Sequence, residues 1–204
     1  MERMELFSNP IFVGKIDLKE ELHDNLIEDC YEWKSRTASI EVSNVNGWHS
    51  PQTFFKEEYQ SFKNLTSEIV KFVERATVTI APSIKQRKLV WQSQAWVNIN
   101  SNIGFNAPHD HPNFMWSGVY YVQVPDEMTG KEGNLEFLDP RSNIASIAGP
   151  LTEMKQFFAS NVSFKPERGR IVVFPSYLTH WVYPHFSETD RISVAFNMRL
   201  SEQV

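Results

Sequence analysis

Arg191-Ile-Ser-Val-Ala-Phe-Asn-Met-Arg-Leu200 alternates without a break. Ile192, Val194, Phe196, Met198 and Leu200 form one apolar row, and Arg191, Ser193, Ala195, Asn197 and Arg199 form the other. A period of two marks a strand, because successive side chains leave opposite faces of a sheet. One face therefore meets a core. The other is either solvated or the interior of a barrel, where Arg191 and Ser193 would bind a carboxylate. A guanidinium fork matches a carboxylate bidentately, and a hydroxyl two residues on adds a bond from the same face.

Upstream of this strand the same period recurs. Leu89–Asn100 places Val90, Gln92, Gln94, Trp96 and Asn98 on one face, with Trp91, Ala95, Val97 and Ile99 nearer the other. Val119–Val124 and Gly133–Leu138 read as a strand pair joined by a polar loop. Val162–Phe164 and Ile171–Phe174 read as a hairpin turned at Pro166-Glu-Arg-Gly169, and His180–Tyr183 as another short strand. Residues 142–158, with Gly149-Pro150, form a long insertion, either a lid or a packed loop.

Before Leu89 the period is mostly helical. Pro10–Val13 reads as a strand closed by Gly14, and Asp17 is placed to cap a helix over about residues 18–34. A second helix over about residues 55–75 carries Phe55, Tyr59, Phe62, Leu65, Ile69, Phe72 and Val73 on one stripe. Between them Ser43–Pro51 is polar and turn-rich. The expected fold is mainly β, α+β overall, with two helices outside a sandwich or barrel.

Composition narrows the function classes. At 204 residues, with 41% hydrophobic and 22% charged residues, the chain suits one folded domain rather than a disordered or fibrous one. A net charge of −5 argues against a nucleic-acid partner. The single Cys30 excludes an internal disulfide framework and a cysteine metal cluster. Apolar runs are too short for a membrane span, and Met1-Glu-Arg-Met-Glu5 opens no signal peptide, so the cytoplasm is the expected location.

Metal chemistry is suggested by Asn106-Ala-Pro-His109-Asp110-His111-Pro112. In extended backbone His109 and His111 share a face and chelate one ion together, while Asp110 turns away. The competing reading is a polar turn between strands. His180, at the start of a distant strand, tips the balance toward a three-histidine site. Such a site with open positions suits iron that also binds oxygen and an organic ligand. His185 reads as a surface residue near Pro184, and His23 and His49 lack paired spacing.

These motifs, in this order, resemble the Fe(II)/2-oxoglutarate-dependent oxygenases. The likeness rests on His109-x-His111, on His180, and on Arg191-Ile-Ser193 eleven residues after that histidine. Ser117-Gly-Val-Tyr-Tyr-Val122 looks like the strand that carries a 2-oxoglutarate-binding tyrosine in prolyl-hydroxylase-like members. With Trp96-x-Asn98, Gly104, Asp139-Pro-Arg141, Phe174-Pro-Ser176 and the run to Asn197, the chain resembles more narrowly a small bacterial and phage family of such oxygenases. The likeness spans about residues 90–200, and is weaker at Gly47-Trp-x-Ser50 and over the two helices.

The resemblance implies a double-stranded β-helix, a jelly roll whose open end holds iron(II) on His109, His111 and His180. It implies 2-oxoglutarate chelating the iron, with its far carboxylate on Arg191, assisted by Ser193 and Tyr121. Tyr120, on the opposite face, is the second choice for that role. Asn98 and Asn197 are expected to line the cofactor pocket together with Trp96. The chain is expected to be one oxygenase domain over residues 1–204, with residues 1–88 as helical support and 89–204 as the catalytic jelly roll. Its expected partners are molecular oxygen and an unidentified substrate, a small molecule or a peptide side chain; a homodimer is left open.

One position departs from the superfamily. Most members have a carboxylate where this chain has His111, so three neutral imidazoles would leave the site one negative charge short. Alternatively His111 does not ligate, leaving a position to water or halide. Strand parity makes Asp110 the poorest substitute, and the three-histidine set is preferred. Rival readings are a cupin-like metal barrel without oxygenase activity, such as an isomerase or zinc protein, and an interaction module whose histidines are ordinary polar residues. Neither gives Arg191 and Ser193 a role.

Overall fold

The computed structural model describes residues 8–141 and 159–201. In chain order its elements are β1 (Phe12–Lys15), α1 (Glu20–Arg36), β2 (Asn44–His49), α2 (Gln60–Ile80), β3 (Trp91–His109), β4 (Trp116–Gln123), β5 (Leu135–Leu138), β6 (Asn161–Phe164), β7 (Arg170–Pro175), β8 (His180–Val182) and β9 (Arg191–Leu200). The insertion over residues 142–158 lies outside the described residues.

Strand β3 organises the sheet. Its first ten residues pair antiparallel with all of β9, from Trp91↔Leu200 to Asn100↔Arg191. Beyond a bend at which Ile103 takes φ +60°, it pairs instead with β8, ending at His109↔His180. The hydrogen-bonded order is β1-β7-β4-β9-β3-β8-β5-β6, with β2 along the other edge of β3. One strand thus passes between two halves of a curled antiparallel sheet, and with both helices outside this is the expected jelly roll.

Two apolar clusters flank the β9 half-sheet. The outer one packs Leu26, Cys30 and Trp33 of α1 and Phe62, Leu65, Ile69 and Val73 of α2 on Val97, Ile99, Ile192, Val194, Phe196 and Met198. Each fully buried aliphatic or phenyl side chain contributes about 1.5–3 kcal/mol, which holds two otherwise marginal helices to the sheet. The inner cluster joins Val119, Tyr121, Val172 and Phe174 to Leu135, Phe137 and Val182 across the roll. The alternation of β9 therefore resolves as an apolar face toward the helices and a polar face toward the interior. Among the described residues no helix is long and apolar enough to cross a membrane.

Several local expectations change. Ser43–Pro51 is mostly strand: its Asn-Gly signature belongs to a bulge at Asn46, φ +50°, between the Val45 and Gly47 pairings with β3. Asp17 pairs with Lys15 at 2.9 Å and caps nothing, and α1 begins at Glu20. Helix α2 starts at Gln60, because Phe54–Lys56 is a single 3₁₀ turn and Glu57 and Tyr59 are extended. Strands β4 and β5 are not partners: β4 lies between β7 and β9, and β5 between β6 and β8. Nor do β6 and β7 form a hairpin. Arg170 N–H does bond the Glu167 carbonyl at 2.9 Å, but the turn carries the chain from one half-sheet to the other. In a jelly roll, strands consecutive in sequence commonly belong to opposite sheets, and alternation cannot reveal that.

Candidate active site

His109 ends β3 and His180 opens β8, so antiparallel register places them side by side. His111, two residues beyond His109, turns back to the same place. The ring centroids are 4.9 Å apart for His109–His111, 4.3 Å for His109–His180 and 5.2 Å for His111–His180. One ring nitrogen from each lies within 4.8 Å of the others. Asp110, just past the end of β3, is exposed and outside the cluster, as expected.

Two of the rings are oriented by their own backbone. His109 Nδ1–H donates to the Ala107 carbonyl at 2.7 Å, and His180 Nδ1–H donates to the Leu178 carbonyl at 2.8 Å. A carbonyl only accepts, so the hydrogen sits on Nδ1 and each Nε2 lone pair is left for a ligand. His111 is held by packing. Its ring lies 5.7 Å from Trp96, whose other neighbour is the stacked ring of His49 at 5.3 Å. Burial, and then the neighbouring histidine charge, push His111 down to about 4 and His180 down to about 3; burial also lowers His109. All three are neutral at pH 7, the form that binds metal. A set of three inward imidazoles, joined by no carboxylate among the described residues, fits iron(II) among other divalent ions.

The pocket these rings line is open to solvent and reaches Arg191. Arg191 is 1% exposed, yet among the described residues it makes no ion pair. One guanidinium NH₂ donates to Asn100 Oδ1 at 3.2 Å, the charge lies 5.4 Å from the Tyr121 ring centre, and Nε has no partner. Isolating a cation in this way is costly unless an anion meets it. Polar atoms nearby are similarly unmatched. Tyr121 OH, Asn98 Oδ1 and Asn197 Nδ2 are buried with no hydrogen-bond partner among the described residues. Ser193 stands opposite both Asn98 and Tyr121 in register. Burial raises the Tyr121 pKa, against the pull of the Arg191 charge, so the phenol stays protonated and can donate.

The sequence-derived residues therefore assemble in one place. His109, His111, His180, Arg191, Ser193, Tyr121, Asn98 and Trp96 line the pocket, and Asn197 adjoins it by accepting from Ser117 Oγ at 2.7 Å. Tyr120 faces the helices, its OH 3.5 Å from the Ile16 carbonyl, so Tyr121 is the inward tyrosine. His185 is a correction. It is fully buried, with Nε2 2.9 Å from the Asn100 carbonyl, because the β3 bend folds over it. Sequence reasoning also missed the Asn100 contact and His49 behind Trp96. Asn100 continues the Trp96, Asn98 face, and that parity was the available signal.

Three inward imidazoles and a buried guanidinium, which meets no carboxylate among the described residues, share one pocket of a jelly roll, an arrangement that suits a metal ion beside an anionic ligand. A family model described as "Putative 2OG-Fe(II) oxygenase" matches residues 94–197. The structure is similar to a Pseudomonas putida prolyl-4-hydroxylase, at TM-score 0.65 and 14% identity, covering 96% of this chain and 95% of that one. It is also similar to a Trichoplax adhaerens prolyl hydroxylase in complex with a hypoxia-inducible-factor peptide fragment, at TM-score 0.63 and 13% identity, covering 93% and 83%. A third likeness is to HygX from Streptomyces hygroscopicus with nickel, 2-oxoglutarate and hygromycin B bound, at TM-score 0.58 and 9% identity, covering 94% and 83%. At these identities the likenesses establish the fold. No curated protein matches the sequence. The chain belongs to the 2OG-Fe(II) oxygenase family. Its activity is that of an iron(II)- and 2-oxoglutarate-dependent dioxygenase.

Proposed function

We propose that His109, His111 and His180 hold the iron, and that Arg191, with Ser193 and Tyr121, takes the far carboxylate of 2-oxoglutarate. Asn98 and Asn197 complete the polar wall. Bound iron(II) with 2-oxoglutarate and oxygen supplies oxidative decarboxylation to succinate and carbon dioxide, coupled to hydroxylation of a C–H bond. The chain's own residues do the rest. The carbonyls of Ala107 and Leu178 keep two Nε2 lone pairs inward. Trp96 fixes the His111 ring, and the inner cluster of Phe137, Phe174 and Val182 keeps water from the buried side of the site. Residues 89–204 act as the catalytic roll and residues 1–88 as its support, within one domain. The substrate is a small molecule or a peptide side chain, and the protein works in the cytoplasm.

The observation that carries this reading is Arg191: a buried guanidinium that meets no carboxylate among the described residues, in the same pocket as three neutral imidazoles. A bare metal barrel has no use for it. The test is anaerobic titration of the iron-loaded protein with 2-oxoglutarate. A visible charge-transfer band is expected, and Arg191→Lys, which keeps the charge and loses the fork, should weaken 2-oxoglutarate about ten- to a hundredfold. Iron affinity without 2-oxoglutarate should barely change. An unchanged 2-oxoglutarate affinity in folded Arg191→Ala would remove the assignment.

A further inference from the structure

The hydrogen bond from Arg191 to Asn100 Oδ1 goes to an amide, in a place where a buried cation would ordinarily meet a carboxylate. The two partners differ in one respect. An amide oxygen orients a guanidinium and leaves its charge intact, whereas a carboxylate orients it and cancels the charge.

Asn100 is itself held firmly. It is 1% exposed and forms the last β3–β9 pair, Asn100↔Arg191, just before the bend. On its other side it pairs with Gly47, where an added Cβ would lie 3.0 Å from Asn100 Nδ2 and 3.1 Å from the Ile99 carbonyl. His185, fully buried, bonds the Asn100 carbonyl through Nε2 at 2.9 Å, and its own carbonyl accepts from Ile103 N–H at 2.7 Å. The Asn100 backbone is thus fixed, and its side chain, whose Nδ2 is buried with no partner among the described residues, packs next to Arg191, among the described residues the one cation lining the pocket.

We propose that Asn100 is a positioning residue that aims the Arg191 guanidinium while leaving its charge uncompensated, so that the site selects a 2-oxo acid bearing a second carboxylate. Gly47 and His185 hold Asn100 in that role. The inference rests on the assignment of Arg191 to the far carboxylate of 2-oxoglutarate.

The test compares the parent, Asn100→Asp, Asn100→Ala and Arg191→Ala, each loaded with iron(II) under nitrogen. Each is titrated by calorimetry with 2-oxoglutarate and with 2-oxobutanoate, which keeps the keto acid and lacks the second carboxylate. Asn100→Asp, nearly the same shape, should weaken 2-oxoglutarate about ten- to a hundredfold and leave 2-oxobutanoate within about twofold. It should also raise the melting temperature of the metal-free protein, because the new carboxylate pairs with a buried cation. Asn100→Ala should cost 2-oxoglutarate severalfold, less than Asp does, again sparing 2-oxobutanoate. Parent-like 2-oxoglutarate binding in either folded Asn100 variant overturns the proposal. So does equal loss of both acids, or a greater loss with Ala than with Asp. Should Asn100→Asp fail to fold, the Ala variant decides alone by the contrast between the two acids. Arg191→Ala separates the layers: unchanged 2-oxoglutarate affinity there sinks the Arg191 assignment itself.

Discussion

His109 and His180, seventy-one positions apart in the chain, face each other as register partners on adjacent strands, with ring centroids 4.3 Å apart. Each also donates Nδ1–H to the carbonyl two residues before it. A strand pair thus builds two thirds of a metal site from its own backbone geometry, and His111 joins from the loop just beyond.

His180→Ala removes the ligand contributed by β8. Loss of a supporting hydrogen bond commonly costs about ten- to a hundredfold in metal affinity, so loss of the ligand itself should exceed about a hundredfold. Anaerobic iron titration reads it directly. His111→Asp should retain iron, because the carboxylate restores a facial triad on the same side. Near-parent affinity in His180→Ala, or loss of iron in folded His111→Asp, would contradict the three-imidazole assignment.

Acid should destabilise the metal-free protein early. An imidazole in the unfolded chain titrates near about 6.5. Burial holds His109 below its ordinary value, with His111 down to about 4 and His180 down to about 3. Below about pH 6.5 the unfolded chain therefore binds more protons than the folded one. The stability contributed by the neutral rings is complete above that pH and is lost as pH falls toward 4 and 3. The two extra protons of His111 and His180 give a limiting slope of about 3 kcal/mol per pH unit, to which His109 adds. Urea unfolding of metal-free protein at about pH 7.5, 6 and 5 measures it. A flat profile over that range would mean the rings are solvated in the folded state.

Gly118→Ala tests packing between the pocket strand and the core. Gly118 lies opposite Phe196 in register, and a Cβ there would come within 2.7 Å of the Phe196 ring and 2.8 Å of the Val172 carbonyl oxygen. The ring edge can shift, but the carbonyl belongs to the sheet. Overpacking of this kind costs about 1–3 kcal/mol, seen as a lower urea midpoint at unchanged slope. An unchanged midpoint would show that β4 and β7 separate freely.

How much of this was legible in the sequence depended on whether the signal was local. Alternation in β9 separated Arg191, Ser193 and Asn197 from Ile192, Val194 and Phe196 because one face meets helices and the other a polar pocket. Spacing alone brought His109 and His111 together. Strand partnership was not legible: β5 pairs with β8 and β6, and alternation carries no information on neighbours. Phe55 and Tyr59 kept helical spacing while lying before α2, since both still pack on the core from a 3₁₀ turn and an extended segment. His185 is buried only because β3 bends near Ile103, and its surroundings in sequence, Tyr-Pro-His-Phe, do not show that.

Tyr120 and Tyr121 give the most economical test of which face is functional. Among the described residues Tyr121 OH is buried without a partner, with its ring centre 5.4 Å from the Arg191 charge, and Tyr120 OH reaches only the Ile16 carbonyl. If the Tyr121 hydroxyl donates to the far carboxylate of 2-oxoglutarate, Tyr121→Phe keeps the ring and removes one bond of about 0.5–1.5 kcal/mol, so affinity falls about two- to tenfold. Folded-state stability without ligand should hold or rise slightly, because deleting an unmatched buried hydroxyl removes its desolvation cost. Tyr120→Phe should leave 2-oxoglutarate binding unchanged. Calorimetric titration beside thermal melts separates the two effects. Equal 2-oxoglutarate affinity in parent and Tyr121→Phe would assign the carboxylate to Arg191 and Ser193 alone, and a loss confined to Tyr120→Phe would reverse the choice of face.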